Sequence, residues 1–241
     1  MNAPLLNGQA KLKGEAAFDA YDASYAAVVQ DSVAFSGIGY DFFLRSKAAL
    51  LADIIAEHLP DRPSPKVLDV GCGIGALHPL LAPLCGDLHG ADISAACIEQ
   101  ARANNPGVSY DAYEGLALPH ADAQFDMAIA ICVMHHVPPG DWTAFAAELK
   151  RVVRPGGLVC VIEHNPLNPA TRLSVMRCPF DEDAVLLRRS RTRKVLSSAG
   201  LNWIAGRYFV FAPSTAPWAR GLERRLGWLP MGAQYAALAR A

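Results

Sequence analysis

The chain has 241 residues, of which 52% are hydrophobic and 19% are charged, a balance typical of globular proteins and unlike that of disordered ones. Its formal net charge of -1 lacks the basic excess that marks nucleic-acid binding. The sequence begins without the apolar core of a signal peptide, and no apolar run reaches the ~20 residues of a membrane span, so it predicts a cytoplasmic protein with no integral membrane segment.

Strands and helices alternate along much of the chain. Apolar residues at three- and four-residue steps predict a helix that begins at Asp41, as its N-cap, and ends before Pro60. Ser94 and Asp141 are predicted to cap later helices. The predicted strands are 66–70, 87–92, 107–112, 125–132 and 158–163, and the helices between them are 76–85, 94–104 and 142–153. This alternation of apolar strands with helices predicts an α/β fold with a parallel sheet covered on both faces.

The regular alternation ends after residue 163. Residues 164–190 are rich in Pro, Arg and Asp and show no clear period. Arg172, Arg177 and the CPFDED run at 178–183 are candidates there for a polar substrate wall or for salt bridges that hold a long loop. The elements predicted to close the chain are a helix over 192–199, a strand over 203–211, an Arg- and Trp-rich helix over 218–228 and a short strand near Tyr235.

The most informative stretch is VLDVGCGIG, where an apolar strand ends beside Asp69 and runs into Gly71, Gly73 and Gly75. Glycine accepts positive φ and lets a ligand approach the backbone closely. Free N–H groups at the start of the next helix favour an anionic or strongly dipolar group. The stretch therefore indicates a nucleoside-cofactor site.

Candidate side chains also follow the other predicted strands. Asp92 stands 21 residues after Gly71, about where an acidic residue holds ribose hydroxyls in nucleotide folds. Glu114 follows the third strand, where a carboxylate can accept a hydrogen bond from an adenine amine. His135 and His136 follow the fourth strand. Because ligands bind beyond the carboxyl ends of strands in open α/β sheets, we expect these groups near the glycine loop.

Five motifs in this order resemble those of the class I S-adenosylmethionine-dependent methyltransferases, in particular the small-molecule branch that includes quinone-biosynthesis methyltransferases. They are VLDVGCGIG at 67–75, ADIS at 91–94, LALPHADAQFD at 116–126, MHHV at 134–137 and LKRVVRPGGLVCVIE at 149–163. The resemblance implies a Rossmann-like sheet of seven mostly parallel strands, the last one antiparallel. It also implies S-adenosyl-L-methionine as cofactor and methyl transfer to an O, N or C nucleophile of a small molecule by in-line displacement.

The resemblance implies ten cofactor-binding residues. Those expected at the methionine end are Asp69, Gly71, Cys72, Gly73 and Gly75. Those expected at the ribose and adenine are Asp92, Ile93, Glu114 and Gly115. Ile131 is expected to supply a backbone contact near the sulfonium.

The N-terminal sequence FDAYDASYAAV resembles the helix that lids the cofactor in such enzymes. Tyr21 and Tyr25 are candidate lid residues, with packing in the core as the alternative for this pair. We therefore divide the chain into an N-terminal helical lid segment over 1–62 and a methyltransferase domain over 63–241, in which 164–190 is a substrate-side insertion. The sequence leaves open whether the chain forms a homodimer. It also leaves open whether the Arg- and Trp-rich helix contacts a membrane or a lipid substrate.

His135 and His136 are the candidate catalytic residues. A hydroxyl acceptor has to lose a proton, and a positioned base contributes roughly 10²–10⁴-fold. Histidine titrates near neutral pH, and both residues lie at a strand end beside the expected methyl group. The alternative for this pair is that one of them packs in the pocket wall and hydrogen-bonds to backbone. His164 is their rival, and its alternative is a loop histidine that caps backbone groups. Lys47 is a candidate partner of the cofactor carboxylate. The alternative is that Lys47 is a solvated lysine on the surface of its helix.

The six cysteines show neither a CxxC pair nor the spacing of metal ligands. Most stand inside apolar runs, which is typical of small buried hydrophobic residues in a reducing compartment. The sequence therefore predicts no metal site.

Two other functions stay open. Gly71, Gly73 and Ala76 also fit the spacing of a dinucleotide-binding loop, which is the feature of a nicotinamide-dependent oxidoreductase. The Pro-Gly-Gly turn at 155–157 argues against that function. The second alternative is a methyltransferase fold that has lost turnover and serves as a partner subunit, which the intact Asp69 disfavours.

Overall fold

A seven-stranded sheet forms the centre of the computed structural model, which describes residues 31, 39–214 and 216–241. The strands are β1 (Lys66–Val70), β2 (Asp87–Asp92), β3 (Ser109–Ala112), β4 (Phe125–Ile131), β5 (Val153–His164), β6 (Asn202–Phe209) and β7 (Gln234–Arg240). Their order is β3-β2-β1-β4-β5-β7-β6. β1 to β5 are parallel, and β7 runs antiparallel to both β5 and β6. The predicted Rossmann-like α/β fold is confirmed, including its antiparallel last strand.

Helices cover both faces of this sheet. They are α1 (Tyr40–His58), α2 (His78–Leu81), α3 (Ala95–Asn104), α4 (Trp142–Val152), α5 (Pro169–Arg177), α6 (Arg189–Ser198) and α7 (Pro217–Leu226), with 3-10 turns at Ala82–Leu84, Met134–His136 and Pro179–Asp181. In the part of the chain that the structure describes, none of the helices has both the length and the apolar character that a bilayer crossing needs.

Alternate residues of the central strands face two different cores. In β4, Ala128 and Ala130 pack in the core that contains residues of α4 and α6. Met127 and Ile129 pack in the core that contains residues of α1 and α2. Successive side chains of a strand point to opposite faces, so an unbroken apolar run is buried on both sides and fixes the sheet as a middle layer.

Several predicted boundaries are wrong for identifiable reasons. The helix predicted over 76–85 is only the four-residue α2 and a 3-10 turn, because Pro83 has no N–H for a longer ladder. Asp41 is not an N-cap: α1 begins at Tyr40, and Asp41 pairs with Arg45 one turn later. Ser94 does cap α3 by accepting from the N–H of Cys97 at 3.2 Å.

The segment over 164–190 contains a helix that the apolar pattern did not reveal. Asn168 caps α5 by accepting from the N–H of Thr171, and Thr171 is buried while Leu173 and Met176 are exposed. A helix with exposed apolar and buried polar side chains has no apolar stripe to predict it.

Asp141 precedes α4 as predicted, but its side chain makes no capping hydrogen bond.

The Arg- and Trp-rich helix α7 is tied to the body of the protein by charged groups. Arg224 donates to the carboxylate of Asp53 in α1 at 2.8 Å. Glu223 accepts from the N–H groups of Val210 and Phe211 at 2.8 and 2.9 Å. Trp218 is exposed.

Most of the predicted lid, including Tyr21 and Tyr25, lies outside the described residues. The division of the chain at residue 62 stays a prediction.

Candidate active site

A cavity of about 870 Å³ lies at the carboxyl ends of the strands, where the strand order reverses between β1 and β4. This is the crevice in which open α/β sheets bind their ligands. Its volume is near the upper end of the ~300–1,000 Å³ range of small-molecule sites. Eight of the ten predicted cofactor residues line it, namely Asp69, Gly71, Cys72, Gly73, Asp92, Ile93, Gly115 and Ile131.

Two glycines of the glycine loop, Gly71 and Gly73, have different surroundings. Gly71 has φ 76°, and a Cβ there would lie 2.3 Å from Cγ2 of Val133. Gly73 has φ 54°, and a Cβ there would meet no atom within 4 Å. Gly71 therefore allows close packing of the protein on itself, whereas Gly73 leaves a bare backbone beside the cavity for a ligand to approach.

Two predicted cofactor residues stand away from the cavity wall. A Cβ on Gly75 would lie 2.5 Å from the hydroxyl of Tyr110, so this glycine shapes the turn from behind. The side chain of Glu114 is exposed and does not line the cavity. Its neighbour Gly115, with φ 68°, does line it. The structure thus brings the backbone of this turn to the cavity without the carboxylate that we predicted would contact adenine.

Asp69 carries the clearest sign of a missing polar partner. Its side chain is buried at the end of β1, and one oxygen lies 3.2 Å from Nε2 of His78. The other oxygen, Oδ1, has no hydrogen-bond partner among the described residues. Buried polar atoms are nearly always paired in proteins, so this oxygen suits a ligand donor such as an ammonium group. His78, which is in turn bonded to Tyr110 at 2.5 Å, belongs to no motif and was missed by the sequence reasoning.

Asp92 is held rigidly at the end of β2. Oδ2 accepts from the N–H of Gly73 at 2.7 Å, and Oδ1 accepts from the N–H of Ser94 at 2.9 Å. Burial raises the pKa of this carboxyl, and the two backbone hydrogen bonds partly offset that effect. Each carboxylate oxygen has a further lone-pair direction, so the group can still accept from ligand hydroxyls.

His135 lies between two carboxylates in the turn after β4. Its Nδ1 atom is 2.5 Å from Oε2 of Glu163, and its Nε2 atom is 3.2 Å from Oδ1 of Asp181. Burial alone would lower the pKa of His135, but the charge of Glu163 and the hydrogen bond to Asp181 outweigh it and hold this pKa well above its usual range. Both ring nitrogens donate, so His135 has no lone pair for a substrate proton. This geometry suits a positioning role, and the catalytic role of His135 stays a prediction.

His136 is the member of this group that stays neutral. Its ring lines the cavity, and its Nε2 atom lies 3.5 Å from Oδ1 of Asp181. Burial, and then the positive charge of His135, lower the pKa of His136 to about 4. A neutral imidazole is a proton acceptor, so His136 is the better base of the pair near neutral pH.

The same side chains could also bind a metal. In the described part of the chain, His135, His136 and Asp181 offer ligand atoms within 4.8 Å of one another. Imidazole and carboxylate suit Zn²⁺ and related ions, and a carboxylate such as Glu163 behind the first imidazole is typical of metal sites. A cation would have to replace the hydrogen bond between His135 and Asp181.

The segment after β5 lines the same cavity as the glycine loop. All six residues of the CPFDED run line the cavity, whereas Arg172 and Arg177 do not. The N–H of Val185 donates to the carbonyl of His135 at 2.9 Å, which fixes this segment against the turn after β4. His164 and Lys47, the other two polar candidates, also line the cavity.

Comparison with known proteins agrees with this geometry. A family model described as a methyltransferase domain matches residues 67–157. A ubiquinone biosynthesis O-methyltransferase of Chelativorans sp. (strain BNC1) is 29% identical over 203 residues, which cover 76% of this chain and 79% of that protein. A solved SAM-dependent methyltransferase from Archaeoglobus fulgidus has a TM-score of 0.60 at 14% identity and covers 84% of this chain and 100% of its own.

A second solved structure, the trans-methyltransferase CalH in complex with SAH, has a TM-score of 0.58 at 18% identity and covers 79% of this chain and 55% of its own. At such low identity the two solved structures show a shared fold and nothing finer.

Proposed function

This chain belongs to the class I S-adenosylmethionine-dependent methyltransferases, and we propose that it methylates a hydroxyl oxygen of a small molecule. The observation that carries the proposal is the imidazole of His136 in the cavity wall, where its Nε2 atom lies 3.5 Å from Oδ1 of Asp181. An oxygen nucleophile has to lose its proton, and a sulfonium methyl group needs no other activation. Relatives named as O-methyltransferases of ubiquinone biosynthesis support the oxygen acceptor.

The cavity suits S-adenosylmethionine as the cofactor. When bound, it supplies a sulfonium methyl group that a nucleophile displaces in line. The unpartnered Oδ1 atom of Asp69 would accept from the ammonium group, and Asp92 would accept from the ribose hydroxyls. The open side of Gly73 leaves room for the methionine part. Ile93 and Gly115, which also line the cavity, would face the adenine.

Positioning supplies most of the rate in this proposal. Holding two reactants in near-attack geometry is worth about 7–11 kcal/mol, and closure of the cavity protects the cofactor from water. His136 then needs only to accept a proton as the new C–O bond forms, because a hydroxyl oxygen becomes far more acidic when it gains a carbon. A base with a pKa of about 4 is strong enough for that task.

The residues after β5 would form the acceptor side of the site. The whole CPFDED run faces the cavity, which supports the substrate-side role of 164–190. The six cysteines are free thiols, which fits a reducing compartment such as the cytoplasm. The family membership favours this function over the nicotinamide-dependent alternative, and the buried Asp69 and Asp92 favour it over a partner subunit without turnover.

A direct test combines an acceptor panel with one matched pair of variants. The protein is incubated with S-adenosylmethionine and a phenol, an amine or a carbon acid, and S-adenosylhomocysteine and the methylated product are quantified by mass spectrometry. We expect an O-methyl product, and we expect His136→Gln to lower kcat by roughly 10²–10⁴ with little change in KM. His89→Gln, in β2 beside Asp87 and outside the cavity wall, is the control. Methylation of amine or carbon acceptors alone would overturn the oxygen assignment.

A further inference from the structure

A second polar cluster lies in the cavity wall next to the end of β4. Cys132 follows that strand, His164 ends β5, Gln234 begins β7, and Lys47 approaches from α1; all four line the cavity. The amide Nε2 of Gln234 donates to Sγ of Cys132 at 3.6 Å. Neither Cys132 nor Gln234 has a role in the proposed methyl transfer.

Gln234 indicates that this corner of the cavity receives a polar group. Its side chain is 3% exposed, and its Oε1 atom has no hydrogen-bond partner among the described residues. A buried amide oxygen without a donor is unfavourable, because it has lost its hydrogen bonds to water. The amide nitrogen of Gln234 donates to the sulfur of Cys132. The oxygen of the same amide can therefore accept a hydrogen bond from a donor bound next to that sulfur.

Cys132 differs electrostatically from Cys72, Cys85, Cys160 and Cys178. Burial would raise the pKa of its thiol, but the charge of Lys47, and then the charge and hydrogen bond of His164, lower this pKa to about 7. Burial raises the pKa of both Cys85 and Cys160 to about 12. The titratable groups that face Cys132 are Lys47, Tyr40, Glu163, His164, His135 and Tyr235.

We propose that Cys132 is a redox-sensitive site, at which hydrogen peroxide entering the cavity oxidises the thiolate to a sulfenic acid. The sulfur attacks one peroxide oxygen, so that an S–O bond forms while the O–O bond breaks. Sulfur loses two electrons, and the peroxide gains them. The departing hydroxide takes a proton from solvent and leaves as water. The new S–OH group donates to the unpartnered oxygen of Gln234, and added thiol restores Cys132.

Oxidation of Cys132 would also stop methyl transfer, because the added oxygen occupies the cavity beside the turn that carries His135 and His136. That consequence rests on the proposed function, whereas the oxidation itself does not. The two are therefore tested by separate measurements.

The first measurement follows the chemistry alone. The full chain is treated with substoichiometric hydrogen peroxide in the presence of a sulfenic-acid trap over a pH series, and labelling of each cysteine is quantified by peptide mass spectrometry. We expect Cys132 to be labelled ahead of the other five cysteines, with a rate that rises through a midpoint near pH 7. Preferential labelling of another cysteine, or equal labelling of all six, would overturn the proposal.

A matched pair of variants on α1 tests the electrostatic cause. Lys47→Met removes the cation that faces the thiol, and each unit by which the pKa of Cys132 then rises slows labelling below the new midpoint roughly tenfold. Arg45→Met removes a cation from the same helix that is exposed and paired with Asp41, so its labelling rate should match that of the parent protein. Equal rates for the two variants would show that Lys47 does not activate the thiol.

The second measurement follows methyl transfer after peroxide treatment. We expect the parent protein to lose activity in proportion to labelling of Cys132 and to regain it with thiol, and we expect Cys132→Ser to resist inactivation. Equal inactivation of Cys132→Ser would refute the regulatory consequence. The labelling experiment retains its meaning even if no acceptor is methylated.

Discussion

The Nδ1 atom of His135 lies 2.5 Å from Oε2 of Glu163, and the two side chains are 1% and 0% exposed. The other oxygen of Glu163 accepts from the N–H of Met134 at 2.8 Å. One carboxylate at the end of β5 thereby fixes both the backbone and the side chain of the turn after β4. The position of the proposed base depends on this contact, because His136 is the next residue of the same turn.

Glu163→Gln should destabilise the fold strongly. Breaking a buried ion pair by changing one partner costs about 3–5 kcal/mol, because the remaining charge stays buried. Urea denaturation near pH 6 measures the free energy of unfolding. Glu182→Gln, an exposed residue of the nearby segment, is the control and should change the free energy of unfolding by less than about 0.5 kcal/mol.

The effect of Glu163→Gln should also depend on pH. The pKa of Glu163 is lowered from its usual 4.5, so its contribution is present above pH 4.5 and is lost as pH falls through the lowered value. The pKa of His135 is raised above its usual 6.5, so its contribution is present below pH 6.5 and is lost as pH rises through the raised value. The difference from the parent protein should therefore be largest between pH 4.5 and 6.5, and a difference that does not vary with pH would contradict the ion pair.

Alanine at Gly71 and at Gly73 should have different consequences. Both substitutions place a Cβ at positive φ, which costs about 1–2 kcal/mol. At Gly71 the Cβ also meets Val133 at 2.3 Å, so Gly71→Ala should lose a further 1–3 kcal/mol, about the cost of overpacking. Adding Val133→Ala should restore part of that loss. Gly73→Ala should show no loss of stability beyond the cost of positive φ, because a Cβ there meets no atom within 4 Å. It should instead bind S-adenosylhomocysteine more weakly in calorimetry.

Asp92→Asn should weaken cofactor binding without unfolding β2. The amide oxygen can accept from only one of the N–H groups of Gly73 and Ser94, and the charge-assisted bond to a ribose hydroxyl is also lost. Such a bond is worth about 1.5–3 kcal/mol, which corresponds to a ten- to hundredfold rise in Kd. Asp87→Asn, at the amino end of the same strand, is the control. Unchanged affinity for S-adenosylhomocysteine in Asp92→Asn would remove this carboxylate from the site.

The fold and half of the site were predictable because they follow from local rules. Unbroken apolar runs predicted the central strands, with β1 and β2 correct to the residue. Asp69 and Asp92 were predictable because a strand end fixes their place at the sheet edge, whatever the rest of the chain does. Glycine spacing predicted the turn, but it did not distinguish Gly71, which packs on Val133, from Gly73, which faces the cavity.

The remaining half of the site depends on contacts that are distant in sequence. Asp181 meets His135 across 46 residues, and no periodic pattern connects the two. The pKa values were likewise hidden: neighbouring histidines at 135 and 136 look equivalent in sequence, yet two carboxylates raise the pKa of one, while burial and its neighbour's charge lower the pKa of the other. The surroundings of Cys132 could not be predicted for the same reason, since Lys47, whose charge lowers the pKa of Cys132, comes from a helix far upstream.

The pH profile of methyl transfer should distinguish a protein base from ionisation of the acceptor in solution. With a phenol of pKa near 10, a reaction that needs the free phenolate speeds up tenfold for each pH unit up to that value. A base with a pKa of about 4 is already unprotonated above pH 5, so kcat/KM of the parent protein should stay level between pH 6 and 8. His136→Gln should convert the level profile into the rising one. If the parent protein shows the rising profile as well, His136 takes no proton and acts only in the cavity wall.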